Sequence, residues 1–317
     1  MGYGAKPHDR RSKDMYDIII VGGGPAGLCA AVYARRANKS VLILEKNAFG
    51  GQIVYSPKVE NYPGFESISG SELADKLVSQ VLSQGADVEV ETVTAIRDED
   101  GKKVVETEEG STYEAQAVII ANGARHRHLG LPNEERFIGD GISFCAVCDG
   151  AFYKNKTVAL IGGGNSALQE AILLSEGCKK VYVIQNLDFL TGEKRLQEIL
   201  QKRGNVEVIT GTVVAEIADT PEFSGITVER TADGTRTELA LDGMFVAIGL
   251  VPENGAFVNL AALNAQGYFD TDETCRTQTK GVFVAGDCRS KTIRQVSTAI
   301  ADGAVAALNA CRYIDEL

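Results

Sequence analysis

Short, continuous apolar runs that end in glycine recur along this chain: Asp17-Ile18-Ile19-Ile20-Val21, Ala117-Val118-Ile119-Ile120-Ala121, Thr157-Val158-Ala159-Leu160-Ile161, Met244 to Ile248 and Val282-Phe283-Val284. Runs of this length, rich in β-branched residues and without alternation, mark strands buried on both faces of a parallel sheet. Helical periodicity separates them over Leu28–Ala37, after Ser69-Gly70-Ser71-Glu72 (capping-box spacing), from Ala167 to about Gly177, and over Thr298–Arg312. Further strands are predicted at Ser40–Leu44 and Lys180–Ile184, while residues 49–53 and 59–64 are loops by composition. Alternation over Asp87–Tyr113 and Val206–Leu241 predicts two small antiparallel sheets.

Two of the runs enter glycine turns. The first is Gly22-Gly23-Gly24-Pro25-Ala26-Gly27, followed by a helix, a strand and then Glu45. Gly22 permits the tight turn, Gly24 lets a pyrophosphate approach the backbone, and Gly27 lets helix and strand pack closely. The helix start offers free N–H groups to phosphates, and Glu45, 18 residues after Gly27, is placed for a ribose. An offset of 140 residues carries Gly22, Gly24 and Gly27 onto Gly162, Gly164 and Ala167, and Glu45 onto Gln185. The chain thus repeats its dinucleotide-binding opening, with a phosphate turn but no ribose acid the second time.

The remaining chemistry lies in Ser143-Phe144-Cys145-Ala146-Val147-Cys148-Asp149-Gly150. A CxxC pair opens and closes a small disulfide ring with little backbone movement, and one of its thiols is commonly a thiolate near neutral pH. Asp149 can carry the proton that dithiol chemistry moves. Half of a zinc site would need further Cys or His ligands at matching spacing, and Cys29, Cys178, Cys275, Cys288 and Cys311 are scattered singly. Beside βαβ patterns the pair reads as redox-active, with no metal. Asp287, at the carboxyl end of the Val282–Val284 strand, stands where open α/β sheets bind ligands.

A chain of 317 residues suggests two domains. The basic string Arg125-His126-Arg127-His128 before Pro132 reads as a linker, and near Pro252 the chain is expected to return to its first domain. The predicted organisation is a polar arm over 1–15, a first domain over 16–124 and 250–317, and an inserted domain over 125–249. Seven cysteines without framework spacing fit a reducing compartment. Residues 1–14 lack the apolar segment of a secretory signal, and no apolar run approaches the ~20 residues of a membrane span, so a cytoplasmic location is expected. A net charge of −11 argues against nucleic-acid binding.

Taken in order, Gly22–Gly27, Gly51-Gln52, Glu60-Asn61-Tyr62-Pro63-Gly64, Cys145-Ala-Val-Cys148-Asp149, Gly162–Ala167, and Gly281–Asp287 with Arg294-Gln295 resemble the low-molecular-weight flavin thioredoxin reductases from about Tyr16 to Tyr313. The resemblance implies an α/β fold of two Rossmann-like FAD/NAD(P)-type domains (three-layer ββα), the second inserted into the first, in a homodimer. It implies FAD held by Gly22, Gly24, Pro25, Ala26 and Gly27, with Glu45 and Lys46 at the adenosine end. Gly51, Gln52, Asn61, Ala121, Gly123, Gly286, Asp287, Arg294, Gln295 and Val296 would line the rest of the cofactor. Cys148 would exchange electrons with the flavin, Cys145 would attack the disulfide of thioredoxin, and Asp149 would act as acid/base.

One stretch departs from that family. Its NADPH-using members carry His-Arg-Arg and a further Arg after the second strand of the inserted domain, and these clamp the ribose phosphate. Here the stretch reads Gln185-Asn186-Leu187-Asp188-Phe189-Leu190-Thr191-Gly192-Glu193, with Asn186, Leu187 and Thr191 at the arginine positions. The pattern resembles the ferredoxin-dependent members, and ferredoxin is the expected donor. An acidic ferredoxin needs a positive docking patch, for which Arg125–His128, Lys179-Lys180, or Lys194-Arg195 with Lys202-Arg203 are the candidates. The alternatives are an NADPH-dependent reductase with atypical contacts, a flavin-dependent dithiol oxidase, a relative with a second flavin in the vacated site, and a flavin-binding sensor without enzymatic activity.

Overall fold

The structure, a computed structural model, describes residues 15–56 and 59–317, so the predicted arm over 1–15 lies almost wholly outside the described residues. The chain folds into two compact units. The first runs through Ile53 and adds Leu73–Ala124 and Pro252–Leu317; the second comprises Val54–Glu72 and Arg125–Val251.

In the first unit β1 (Tyr16–Val21) lies between β2 (Val41–Glu45) and β6 (Thr112–Ile120), parallel to both. Beyond β2 lies β3 (Asp87–Val90), also parallel. This corrects the antiparallel assignment of that segment: four residues of alternating pattern do not show which edge they join. Antiparallel pairing begins only with β4 (Val93–Glu99) and β5 (Lys102–Thr107). β6 is long enough to serve two neighbours on one side, with Thr112–Ala115 against β5 and Val118–Ile120 against parallel β17 (Val282–Val284). Ile18 and Ile20 face a layer containing α1 (Pro25–Arg36) and α7 (Val296–Asp315), while Ile19 and Val21 face a second apolar layer with Ile96, Val105, Phe257 and Phe269. That two-sided burial is why the run does not alternate, and each isoleucine so buried contributes about 1.5–3 kcal/mol. α2 (Gly70–Ser83) spans the boundary, its first three residues grouping with the second unit and the rest, from Leu73, with the first; just before it Ser69 Oγ accepts the Glu72 N–H at 3.1 Å.

The chain crosses between the units through β7 (Ala124–His126) and β16 (Leu250–Pro252), which pair with each other, so the predicted linker is partly a strand. The second unit carries a five-stranded parallel sheet. Its order is β11 (Val206–Ile209), β10 (Lys180–Ile184), β9 (Thr157–Ile161), β15 (Gly243–Val246), β8 (Ile142–Ser143). Val158 and Leu160 pack towards α5 (Asn165–Gly177) and, with Leu200, include α6 (Lys194–Gln201) in that layer. Ala159 and Ile161 pack towards the antiparallel sheet of β12 (Thr212–Ile217), β13 (Gly225–Arg230) and β14 (Arg236–Ala240). Val206–Ile209 therefore belongs to the parallel sheet rather than the antiparallel one. Before β8, the short α3 (Glu134–Phe137) buries Glu134, whose carboxylate accepts the N–H groups of Leu129 at 2.9 Å and Gly130 at 2.8 Å. Each unit thus has a parallel core of strands with helices on one face and antiparallel strands added to it, β5 and β4 continuing the sheet in the first unit and β12–β14 forming a separate sheet in the second, the α/β class with two Rossmann-like domains.

Candidate functional site

In the second unit, β8 ends at Ser143 and the chain turns into the single-turn helix α4 (Ala146–Asp149). Cys145 is its N-cap, with Sγ accepting the Cys148 N–H at 3.2 Å, and Cys145 and Cys148 are disulfide-bonded with Cα atoms 5.3 Å apart. Both cysteines are half-buried, and Val147 between them is exposed. The other five cysteines are buried, and burial raises each thiol's pKa, to about 11 for Cys29 and Cys178 and about 12 for Cys275 and Cys288. The accessible sulfur chemistry of the described residues is therefore concentrated in this turn.

Asp149 stands one residue beyond. Its Oδ2 accepts the Ser143 hydroxyl at 2.6 Å, while Oδ1 is buried without a hydrogen-bond partner. Burial raises the carboxyl's pKa and the Ser143 hydrogen bond partly opposes it. Ser143 and Asp149 open onto a cavity of about 490 Å³ that also reaches Tyr153, Lys156 and Asp242. A carboxyl so placed can hold a proton beside the disulfide and exchange it with the cavity. On the other side of the turn, Glu170 of α5 accepts the Ala146 N–H at 3.2 Å. Sequence reading missed this residue; its only signal was an acid beside the apolar positions of α5, which also carries Glu176. The rings of His126 and His128 stack on Phe144 at 4.9 and 5.0 Å.

In the first unit the turn Gly22–Gly27 leads into α1. Gly22 has φ +108°, and a Cβ there would lie 2.3 Å from Ala121 O; a Cβ on Gly27 would lie 1.9 Å from Gly22 O. Gly24 differs: it is the N-cap, with ordinary φ −79° and no side-chain cap, and its Cβ would meet only Gly51 Cα at 3.8 Å. Pro25 occupies N1, and Ala26 is buried. The N–H groups of this helix start therefore face open space that a phosphate can enter.

Glu45 Oε2 accepts the Gly23 N–H at 2.7 Å and Oε1 the Asn47 N–H at 3.0 Å, leaving lone pairs on both oxygens for ribose hydroxyls. Lys46 is ion-paired with Glu253. Gln52 is exposed on a 3-10 turn, Gly51–Tyr55, within the stretch expected to be loop. Asn61 lies in the Val54–Glu72 segment, which groups with the second unit, so the structure does not gather it with the turn in one unit.

At the carboxyl ends of β6 and β17 the first unit presents Gly123 (φ +69°), Gly286 (φ +83°) and Asp287. Asp287 Oδ1 is buried without a hydrogen-bond partner, 3.8 Å from Lys291 Nζ. Burial raises its pKa, and Lys291 and Arg294 oppose that. Arg294 lies over the Tyr268 ring and donates to Asp287 O at 3.3 Å. Gln295 caps α7, forming a capping box with Thr298, and Val296 is its first residue. An orphaned carboxylate oxygen, an uncapped helix start and a glycine cradle suit a hydroxyl-rich dinucleotide such as FAD.

The second turn keeps the backbone form, with Gly162 at φ +132° and Gly164 as an N-cap without a side-chain partner. Its ribose position differs. Gln185 is buried over Gly163, where a Cβ would lie 2.6 Å from its amide carbon. Glu193 Oε1 accepts from Asn165 Nδ2 at 3.1 Å, which places an acid at the start of α5. Asn186, Leu187 and Thr191 are exposed.

The family model for pyridine nucleotide-disulphide oxidoreductases matches residues 16–303. A thioredoxin reductase of Listeria monocytogenes is 43% identical over 305 residues, covering 96% of this chain and 95% of that protein. A "34.2 kDa protein in rubredoxin operon" of Clostridium pasteurianum is 42% identical over 96% of this chain and 99% of its own length. Among solved structures, a thioredoxin reductase from Streptococcus pyogenes superposes with a TM-score of 0.91 at 40% identity, covering 96% of this chain and 100% of that one.

Proposed function

As a member of the pyridine nucleotide-disulphide oxidoreductase family, to which this chain belongs, the protein is a FAD-dependent reductase of the thioredoxin reductase type, and we propose that its electrons come from reduced ferredoxin. The observation that carries the proposal is the largely exposed stretch Asn186–Glu193. It offers no cation to a ribose phosphate, holds Glu193 at the start of α5, and follows a buried neutral Gln185 where an acid would take a ribose. Each absent arginine contact is worth about 1.5–3 kcal/mol, so NADPH binding is weakened by orders of magnitude.

FAD, when bound, takes up electrons singly or in pairs and supplies two to a disulfide. In this reading Gly22, Gly24 and Gly27 and the first N–H groups of α1 hold its pyrophosphate, Glu45 its ribose, and Asp287 the hydroxyls further along. Cys148 is the thiol on the flavin side and Cys145 the one that meets thioredoxin. The Cys145 thiolate attacks one sulfur of the thioredoxin disulfide and displaces the other. Cys148 then attacks Cys145, restoring the Cys145–Cys148 bond and releasing dithiol thioredoxin. Asp149 holds the proton these exchanges require, and the cavity at its back connects it to solvent.

The enzyme acts as a cytoplasmic homodimer in this reading. Lys194, Arg195 and Lys202 on and beside α6 suit an acidic ferredoxin, whereas Lys180 and Arg203 are already paired with Glu207 and Glu176. Among the described residues no helix is long and apolar enough to cross a membrane. A second reading, NADPH as donor, is favoured by the intact backbone of the Gly162–Ala167 turn.

Anaerobic reduction of the flavin by NADPH, NADH and reduced ferredoxin in parallel decides between the two. Rapid bleaching by ferredoxin alone is expected, and rapid bleaching by micromolar NADPH would sink the ferredoxin reading.

A further inference from the structure

α4 begins with Cys145 as N-cap and Ala146 as first residue, and the free N–H groups of that start have two acceptors: Cys145 Sγ takes the Cys148 N–H at 3.2 Å, and Glu170 Oε2 takes the Ala146 N–H at 3.2 Å. A carboxylate is thus tied to the residue next to the outer cysteine, where its negative charge opposes a second one on that sulfur. Among the described residues no cation is ion-paired with Glu170 or opposes its shift. Burial raises its pKa to about 7, and the Ala146 N–H alone opposes that. The elements packed against α5 carry Cys148 and Asp149 on α4, Tyr153 after it, Lys180 and Tyr182 on β10, and Lys194, Arg195 and Glu198 on α6; none contributes to the shift, and β9 carries no titratable group.

We propose that Glu170 is a positioning residue of the redox turn: it anchors the turn through the Ala146 N–H and, when ionised, disfavours the thiolate of Cys145. The inference rests on reading Cys145–Cys148 as the working pair. In this reading Glu170 takes no part in bond exchange. It acts through its charge, held beside Cys145 by the Ala146 N–H, so its influence exists only where it is charged, and fades as pH falls through its own titration. A thiol that must attack one disulfide and then leave for another is served by a thiolate that is not over-stabilised, because nucleophilicity falls with thiol pKa.

The test uses FAD-loaded Cys148→Ser protein, in which Cys145 is left as the free thiol of the turn. Iodoacetamide modification of Cys145 is followed by peptide mass spectrometry from pH 5.5 to 9, with and without Glu170→Gln. The amide keeps an acceptor for Ala146 but cannot ionise. Modification about two- to five-fold faster with Glu170→Gln at pH 8, merging with the parent at pH 6, is the expected result. Superimposable profiles overturn the proposal. A uniform acceleration at every pH overturns it too, since that reports a loosened turn and not a charge. The readout needs no turnover, so a wild-type enzyme that fails to reduce thioredoxin would sink the functional reading and leave this result standing.

Discussion

The Ser143 hydroxyl donates to Asp149 Oδ2 at 2.6 Å, across the turn that holds the disulfide, and the same oxygen of Ser143 accepts the Cys145 N–H at 3.1 Å. One side chain, 6% exposed at the end of β8, therefore fixes both the carboxyl and the backbone of the outer cysteine. The hydroxyl has one proton, and the short contact gives it to Asp149. Asp149 is left with a second oxygen that is buried and unpaired, the arrangement of a group whose proton is meant to be exchanged.

Ser143→Ala removes the one hydrogen bond that lowers the Asp149 pKa and leaves the burial that raises it. The carboxyl will then keep its proton to higher pH. Where Asp149 acts as the acid, the alkaline limb of thioredoxin reduction should move to higher pH, because the hydrogen bond that favoured the ionised carboxylate is gone. Asp149→Asn should cost about 10²–10⁴-fold and abolish that limb. Steady-state rates from pH 6 to 10 check both, and an unmoved limb in Ser143→Ala would remove Asp149 from the acid role.

The first glycine turn can be dissected by position. A Cβ on Gly27 would strike Gly22 O at 1.9 Å, so Gly27→Ala must damage the packing of β1 on α1. A Cβ on Gly24 meets nothing nearer than 3.8 Å and its φ is ordinary, so Gly24→Ala should fold normally. The added methyl would occupy the space into which the pyrophosphate fits. Gly24→Ala is expected to melt like the parent as apoprotein but bind FAD at least about tenfold more weakly. Flavin fluorescence titration measures the loss; unchanged affinity would move the pyrophosphate elsewhere.

Much of this was legible in the chain because it is local. Ile18 to Val21 show no alternation, since both sheet faces are covered, and a strand running into Gly22-Gly23-Gly24 states its own turn. Cys145 and Cys148 needed only their spacing. What was hidden depends on contacts between distant segments. Asp87–Val90 alternates like an edge of the antiparallel sheet but joins β2 in parallel, and Val54–Glu72 groups with the second unit. Glu170 stands in an apolar helix, and nothing in its neighbours names Ala146 as its partner. Asp149 was identified as an acid, but that Ser143 holds one of its oxygens and burial isolates the other appears only once β8 and α4 are placed.

The two cysteines should separate by function. With Cys148→Ser, flavin binding is expected to persist while electron flow to thioredoxin stops. With Cys145→Ser, the remaining Cys148 thiolate beside oxidised flavin should give a long-wavelength absorption band that grows as the thiol deprotonates. Normal thioredoxin reduction by the Cys148 variant, or a band in that variant and not in the other, would reverse the assignment.

The positions where arginines are missing are exposed, so arginine side chains can be installed without repacking. Asn186→Arg, Leu187→Arg and Thr191→Arg together add donors suited to a phosphate dianion, on a turn whose backbone is already formed. If the absent cations are what excludes NADPH, the triple variant should bind it at least about a hundredfold more tightly than the parent, with little change for NADH. Quenching titrations measure this. Equal, tight NADPH binding by the parent would mean that other contacts hold the cofactor.

Glu170 also links the redox turn to the stability of the fold. Its folded pKa is about 7, against about 4.5 when unfolded, so folding favours the protonated form. The contribution is therefore fully present below pH 4.5 and is lost as pH rises through 7. Above pH 7 the native protein holds a buried carboxylate whose only identified compensation is one N–H group. Glu170→Gln removes the ionisation and keeps an acceptor for Ala146, so the variant should be the more stable protein at pH 8, by on the order of 3 kcal/mol. The difference should shrink through pH 7 to 5 and vanish near pH 4.5. Urea unfolding of both proteins across that range is the measurement, with FAD held saturating because ligand binding would otherwise shift the midpoints. A pH-independent difference would mean that Glu170 does not ionise in the folded protein, and the carboxyl would then act on the cysteine turn as a hydrogen-bond acceptor alone.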